Sequence, residues 1–127
     1  MKKRLLFVCI ENSNRSQMAQ AFAKIHGGEM VEAYSAGYKP SGKINPKAVA
    51  AMAELGYDLT SHSSKSLDEV PKEMYDYVVT MGCGDACPWM PAKNFIDWQI
   101  PDPRNMEPEE FRKVRDLKES QVKKLLG

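Results

Sequence analysis

The chain has 127 residues, with 18 lysines and arginines against 17 aspartates and glutamates, and this balance argues against a nucleic-acid-binding surface, an acidic tail or a disordered chain. A chain of this length buries roughly two-thirds of its unfolded surface, which predicts one domain over residues 1–127. The basic start at residues 1–4 is followed by only a short apolar run, so we expect no signal peptide, no membrane span and a cytoplasmic location.

The first half of the chain alternates between strand-like and helix-like patterns. Residues 4–9 form a continuous apolar run, which predicts a strand buried on both faces. Met18, Phe22 and Ile25 then recur at helical spacing, and the double glycine at 27–28 predicts the end of that helix. A second strand is predicted over residues 30–35.

The same alternation continues to the C-terminus. A second helix is predicted after Pro46 and before Gly56, with three apolar residues on its inner side, Val49, Met52 and Leu55. A short helical piece is expected over residues 67–73, a third strand over 75–81 and a fourth around 95–96. Pro108 opens a long amphipathic helix. Its predicted inner face consists of Phe111, Val114, Leu117, Val122 and Leu125, with the lysines, arginines and glutamates facing outward.

This order of elements predicts an α/β fold. We expect a three-layer sandwich, in which a four-stranded parallel sheet with right-handed connections carries helices on both faces. Ligands of such sheets bind beyond the carboxyl ends of the strands. The function is therefore expected in the loops that follow Cys9, Met81 and Ile96.

Residues 9–16 lie between the first predicted strand and the first predicted helix, and we call them the anion loop. Cys9 and Arg15 are separated by five residues. Backbone N–H groups of such a loop converge above the cysteine sulfur, and the Arg15 guanidinium offers paired donors to a tetrahedral oxyanion. The same donors favour thiolate over thiol at Cys9. The expected substrate-binding residues are Ile10, Glu11, Asn12, Ser13, Asn14, Arg15 and Ser16.

Two residues of the anion loop have predicted structural roles. Ser16 is expected to donate a hydrogen bond to the Cys9 thiolate. Asn12 tolerates left-handed backbone angles and is expected to tie the loop to a neighbour through its amide. The alternative, in which Cys9 is a small buried hydrophobe and Arg15 a surface residue, is disfavoured by the position of the pair between strand and helix.

The sequence resembles the low-molecular-weight protein tyrosine phosphatases and their arsenate reductase relatives. The resemblance rests on the pattern C-x-x-N-x-x-R-S, matched here by Cys9, Asn12, Arg15 and Ser16. It continues through nearly the whole chain, with Ser16-Gln17-Met18-Ala19, Ser35-Ala36-Gly37, Val78-Val79-Thr80-Met81, Asp97-Trp98 and Asp102-Pro103. It implies the low-molecular-weight phosphatase fold, which is flavodoxin-like and Rossmann-like.

The sequence departs from the family pattern at several positions. Family members commonly carry glycine where Glu11 stands. Gln20 and Lys65 stand where some arsenate reductases have acidic ligands for a potassium ion, so we do not carry that metal site over. We expect no metal and no cofactor. A zinc site is disfavoured by the C-x3-C spacing, and His26 and His62 are expected to be ordinary surface or helix-end residues.

Three further residues acquire catalytic roles through the resemblance. Asp102, in an Asp-Pro pair, is the expected general acid that protonates the departing oxygen. The segment Gly82–Pro88 contains Cys83 and Cys87 and resembles the cysteine-bearing segment of arsenate reductases. The preferred interpretation makes Cys83 the thiol that attacks the Cys9 adduct and Cys87 the terminal thiol, giving a disulfide that thioredoxin reduces. Glutaredoxin or a small thiol that resolves the adduct directly is the alternative, and inert packing of both cysteines also stays open.

The resemblance leaves three functions to separate. The leading prediction is an arsenate reductase with residual phosphatase activity, acting on arsenate or phosphate. The first alternative is a phosphatase that hydrolyses phosphotyrosine or aryl phosphates through a cysteinyl-phosphate, although such enzymes typically have tyrosine after the Asp-Pro pair, where Arg104 stands. The second is a non-catalytic, flavodoxin-like module that binds an oxyanion. We expect a monomer with no nucleic-acid or membrane partner.

Overall fold

The structure is a computed structural model that describes residues 3–10, 12, 14–37, 39–71, 73–81, 92–98 and 106–126. Four strands form one parallel sheet in the order β2-β1-β3-β4. They are β1 (Lys3–Cys9), β2 (Val31–Gly37), β3 (Tyr75–Met81) and β4 (Ala92–Trp98). The described helices are α1 (Arg15–Gly27), α2 (Pro46–Ala53) and α3 (Pro108–Leu126), with 3₁₀ helices at Gly28–Met30, Leu59–Ser61 and Leu67–Glu69.

Strand β1 lies inside the sheet, with β2 on one side and β3 on the other. Leu5 is paired with Ala33 of β2 and with Tyr77 of β3. Because both edges and both faces of β1 are covered, Leu5, Leu6 and Phe7 are fully buried. This explains the continuous apolar run in the sequence, and it carries Cys9 to the carboxyl edge of the sheet beside Gly37.

Helices cover both faces of the sheet. Leu5 and Phe7 pack into one cluster with apolar residues of α1, α2 and α3. Leu6 and Val8 point to the opposite face, where they pack with Leu67 at the start of a 3₁₀ helix. The predicted α/β sandwich with a four-stranded parallel sheet is therefore confirmed.

The predicted inner face of the last helix is partly wrong. Phe111, Val114 and Val122 are buried as expected, but Leu117 is 44% exposed and Lys118 is fully buried. At about 100° per residue, Lys118 lies within about 20° of Phe111 around the helix axis, whereas Leu117 lies about 120° away. Geometry thus overrides side-chain polarity. Arg115 is likewise buried, because its Nη1 donates to Ala51 O of α2 at 2.9 Å.

Four other predictions needed correction. Ile25 is exposed because the last turn of α1 extends past the core, and Leu55 is exposed because α2 ends at Ala53. β4 is longer than the predicted residues 95–96 because it is an edge strand, whose mostly exposed or half-buried residues give no continuous apolar signal. The helical piece expected over 67–73 is shorter, at Leu67–Glu69.

Candidate active site

The carboxyl end of β1 and the first turn of α1 bring Cys9 and Ser16 together. Cys9 is the last residue of β1 and is 3% exposed, and Ser16 is fully buried. Cys9 Sγ lies 2.9 Å from Ser16 Oγ. The predicted contact between the two side chains is thus confirmed. The sulfur lies at the N-terminal end of a helix, where backbone N–H groups and the helix dipole favour negative charge.

Asn12 determines which way the Ser16 hydroxyl points. The Nδ2 group of Asn12 donates to Ser16 Oγ at 2.8 Å. Since Ser16 Oγ accepts this hydrogen bond, its own proton is left to donate to the Cys9 sulfur. Asn12 has a φ of 52°, so its predicted left-handed conformation is also confirmed.

Gln17 holds Asn12 in this position from within α1. It is fully buried, and its Nε2 donates to Asn12 Oδ1 at 2.8 Å, to Asn12 O at 3.0 Å and to Ser63 O at 2.9 Å. The backbone N–H of Lys65 also donates to Asn12 Oδ1, at 2.9 Å. The predicted tie through the Asn12 amide is confirmed, but no role had been assigned to Gln17. The burial of Gln17 is known only from the structure, and the sequence around it gives no signal of this role.

His62 extends the same network away from the sulfur. Because Gln17 Nε2 is the donor, Gln17 Oε1 accepts from His62 Nδ1 at 3.0 Å, which leaves His62 Nε2 to accept from the Tyr57 hydroxyl at 2.6 Å. Burial, followed by the charges of Lys24 and Lys65, lowers the pKa of His62 to about 4. His62 is therefore neutral near pH 7. It lies at the end of the 3₁₀ helix Leu59–Ser61, as predicted, but it is half-buried and joined to the Gln17 network, which was not predicted.

The other histidine follows its prediction. His26 lies in the last turn of α1 and contacts Glu119 of α3, with 2.8 Å between Nε2 and Oε2. The contacts described for His26 are with Glu119 and Phe22, and none of them is with Cys9 or Ser16.

The remaining predicted site residues are placed as follows. Ile10 is half-buried and its carbonyl accepts from the N–H of Lys39 at 2.9 Å. Asn14 and Arg15 are buried at the start of α1. The predicted residues outside the described part of the chain are Glu11, Ser13, Cys83, Cys87 and Asp102.

Gln20 and Lys65, which stand where some arsenate reductases have acidic potassium ligands, both form hydrogen bonds with other residues of the chain. Gln20 Nε2 donates to Ala33 O at 3.1 Å, and Ser35 Oγ donates to Gln20 Oε1 at 2.6 Å. Lys65 Nζ donates to Ser63 O at 3.0 Å, and burial lowers the pKa of Lys65. Within the described ranges, no three His, Cys, Asp or Glu side chains are grouped as metal ligands. None of the helices described here has the length and apolar character needed to cross a membrane.

Comparison with known proteins identifies the family. Residues 4–127 match the model of the low molecular weight phosphotyrosine protein phosphatases. The chain belongs to this family. It is 37% identical to a glutaredoxin arsenate reductase of Synechocystis sp. over 128 residues, which cover 98% of this chain and 97% of the relative. It is 42% identical to arsenate reductase 1 of Staphylococcus haemolyticus over 119 residues, covering 91% and 88% of the two proteins.

A solved structure shows the same relationship within the low molecular weight phosphatase family. An arsenate reductase in the phosphate-binding state has a TM-score of 0.89 and 37% identity to this chain, covering 98% of this chain and 96% of its own. The chain therefore lies in the arsenate reductase branch of the family. The predicted fold, family and arsenate reductase activity are confirmed.

Proposed function

We propose that this phosphatase-family chain reduces arsenate by nucleophilic attack of the Cys9 thiolate on arsenic. The observation that carries the proposal is the buried Cys9 Sγ, 2.9 Å from a Ser16 hydroxyl whose proton points toward it. A hydrogen bond to the charged form favours the thiolate, and the thiolate is the nucleophile. The anion loop holds the arsenate, with Arg15 and backbone N–H groups as donors to its oxygens.

The first step forms a bond between sulfur and arsenic and releases one arsenate oxygen as water. Asp102 supplies a proton to that oxygen, because an unprotonated oxygen is a poor leaving group. No electrons have yet been transferred to arsenic, which remains in its +5 state.

The second step carries the reduction. The Cys83 thiolate attacks the Cys9 sulfur, the electron pair of the sulfur–arsenic bond moves to arsenic, and arsenite leaves with arsenic in its +3 state. Cys87 then attacks Cys83 and releases Cys9, which leaves a Cys83–Cys87 disulfide. Two thiols thus lose the two electrons that arsenic gains.

Sheet register supports the reach of Cys83. Val8 is paired with Thr80, so Met81 lies in the row of Cys9 at the carboxyl edge of the sheet. Cys83 follows Met81 by two residues, so its Cα lies within about 7 Å of the Met81 Cα, and the strand spacing of about 5 Å puts it within about 12 Å of the Cys9 Cα. A disulfide needs its two Cα atoms within about 7 Å of each other, so the proposed attack requires the chain after Met81 to bend toward Cys9.

The proposal includes the reductant, the cellular location and the oligomeric state. Thioredoxin reduces the Cys83–Cys87 disulfide, and glutaredoxin or a small thiol that resolves the Cys9 adduct directly is the second candidate. The glutaredoxin in the name of the Synechocystis relative supports the second route. We propose a cytoplasmic monomer, one domain over residues 1–127, that binds neither nucleic acid nor membranes.

The test is arsenate-dependent oxidation of reductant by the wild type and by the Cys9→Ser, Cys83→Ser and Cys87→Ser variants. Each is assayed with a thioredoxin system and with glutathione plus glutaredoxin. We expect Cys9→Ser to abolish activity with both. With thioredoxin, Cys83→Ser should retain the first nucleophilic step and stop at the Cys9–arsenic adduct, without multiple turnover. Full activity of Cys83→Ser and Cys87→Ser with glutathione plus glutaredoxin would show that an external thiol resolves the Cys9 adduct directly.

Hydrolysis of para-nitrophenyl phosphate in parallel tests the alternatives. A chain that hydrolyses it quickly, with no reductant oxidised by arsenate, is a phosphatase and contradicts the proposal. A wild type that turns over neither compound, while wild type and Cys9→Ser bind phosphate equally well, is a binding module.

A further inference from the structure

Five hydrogen bonds in series connect the hydroxyl of Tyr57 with the sulfur of Cys9. They pass through four side chains, which are His62, Gln17, Asn12 and Ser16. From Tyr57 to Cys9, the distances between donor and acceptor atoms are 2.6, 3.0, 2.8, 2.8 and 2.9 Å. The three side chains nearest the sulfur are fully buried, so the part of the series that leads to Cys9 is closed to bulk water.

Backbone groups determine the direction of the donors in this series. The N–H of Lys65 donates to Asn12 Oδ1, which turns Asn12 Nδ2 toward the serine hydroxyl. The carbonyls of Asn12 and Ser63 both face Gln17 Nε2, which turns Gln17 Oε1 toward His62. A backbone N–H cannot accept and a carbonyl cannot donate, so neither side-chain amide can be reversed.

Every donor in the series therefore points toward the sulfur. His62 Nδ1 carries the proton because it donates to an amide oxygen, and its Nε2 accepts from the Tyr57 hydroxyl. Hydrogen bonds aligned in this way polarise one another, and each strengthens the next by about 10–30%. The Ser16 hydroxyl at the end of the series is thus a stronger donor than an isolated serine, and it faces the atom that becomes negative when Cys9 loses its proton.

We propose that Tyr57 and His62 are positioning residues that act through this series of hydrogen bonds to favour the thiolate form of Cys9. A hydrogen bond to the charged form of a group favours that form, and the thiolate is the nucleophile. Tyr57 and His62 act at a distance, since the sulfur itself contacts Ser16. The inference rests on the proposed role of Cys9, but it concerns ionisation of the thiol and does not depend on arsenate being reduced.

The test follows the ionisation of Cys9 by the ultraviolet absorbance of its thiolate. Cys83 and Cys87 are first replaced with serine, which leaves Cys9 as the one cysteine of the chain, and the absorbance of the same chain with Cys9→Ser is subtracted at every pH. Tyr57→Phe removes one oxygen and keeps the ring that contacts His62. We expect it to raise the pH midpoint of Cys9 ionisation by about 0.5, a threefold lower ratio of thiolate to thiol, because a hydrogen bond to a charged group loses part of its strength.

Two substitutions at His62 separate hydrogen bonding from packing. His62→Leu removes the donor to Gln17 Oε1 and should raise the midpoint by about 1, a tenfold change in the ratio. His62→Asn keeps a nitrogen donor in the place of Nδ1 and should raise the midpoint no more than Tyr57→Phe does. The charged groups near His62 are Lys24 and Lys65, and every variant retains them, so a shift does not come from a lost charge.

Tyr75→Phe is the matched control. It removes the same atom from a tyrosine whose hydroxyl donates to a backbone carbonyl, Pro71 O, outside the series. It should leave the midpoint of Cys9 unchanged.

Three results would overturn the inference. One is an unchanged or lower midpoint in Tyr57→Phe. Another is an equal shift in Tyr75→Phe, which would mean that loosening of the fold, and not the series of hydrogen bonds, moves the midpoint. The third is a shift in His62→Asn as large as that in His62→Leu, which would mean that the His62 ring acts by packing. If circular dichroism shows that a His62 variant does not fold, the comparison of Tyr57→Phe with Tyr75→Phe decides alone. Because the titration needs neither arsenate nor turnover, failure to reduce arsenate refutes the proposed function and leaves this result intact.

Discussion

Replacing Gln17 with leucine tests whether the anion loop is held from behind by one buried amide. Leucine fills a similar volume but removes the donors to Asn12 and Ser63 and the acceptor for His62. Two of these partners keep another hydrogen bond, since Lys65 donates to both Asn12 Oδ1 and Ser63 O. Asn12 O and His62 Nδ1 are therefore the two groups left unpaired.

The size of the effect follows from those two groups. Each unpaired buried group costs about 1–3 kcal/mol, and because His62 is only partly buried we expect the free energy of unfolding to fall by about 2–4 kcal/mol. Asn12 loses two of the contacts that hold its left-handed conformation, so the Ser16 hydroxyl loses its alignment with Cys9. Small misplacements of catalytic groups cost up to about 100-fold, and we expect kcat/KM for arsenate to fall by about 10- to 100-fold.

Gln20→Leu is the matched control, because it is the same substitution three residues further along α1. Gln20 bonds Ala33 and Ser35 of β2 and has no described contact with the anion loop. Its loss should lower stability by about 1–3 kcal/mol and leave kcat/KM within about threefold of the wild type. Urea unfolding and steady-state arsenate reduction measure the two quantities. Equal losses of kcat/KM in both variants would refute the positioning role of Gln17.

Further predictions concern pH dependence and packing. The pKa of His62 is lowered from 6.5 to about 4 in the folded chain, so its stabilising contribution is complete above pH 6.5 and is lost as pH falls toward 4. Urea midpoints of His62→Gln should therefore vary less with pH over this window than those of the wild type. Hydrogen bonds from Arg112 and then Arg115 lower the pKa of Glu54 from 4.5 to about 2. The stability that Glu54 contributes is therefore lost as pH falls from 4.5 toward 2. In acid unfolding followed by circular dichroism, the stability of Glu54→Gln should change less with pH over that range than the stability of the wild type. A Cβ at Gly27 would lie 2.6 Å from Val31 Cγ2, so Gly27→Ala should destabilise by about 1–3 kcal/mol in urea unfolding, and Val31→Ala in the same chain should recover part of the loss.

The parts of the site that were predicted correctly are local in sequence. Cys9, Asn12 and Ser16 lie within eight residues, between a strand and a helix whose patterns are strong, so the loop geometry follows from the chain itself. The β3 bounds of Tyr75–Met81 were likewise predicted, because both faces of that strand carry apolar residues.

The parts that were missed depend on contacts between distant residues. Gln17 and His62 are 45 residues apart, and neither has a pattern around it that identifies the other. Lys118 is buried by its angular position on α3, which polarity alone assigns to the surface. Among the described strands, β4 pairs with β3 alone, so its exposed side chains can be polar and give no apolar pattern that identifies the strand.

The anion loop consists of residues made early in synthesis and held by residues made late. Asn12 is bound by Lys65, and β1 gains its second neighbour only through pairs that extend to Thr80. At about 5–20 residues per second, residue 80 is added about 3–13 seconds after residue 16. An incomplete chain that ends before Tyr57 therefore contains Cys9, Asn12 and Ser16, but it lacks the contacts with Ser63, Lys65 and strand β3 that hold the anion loop from outside. The complete set of contacts around Cys9 exists only in a chain more than half made.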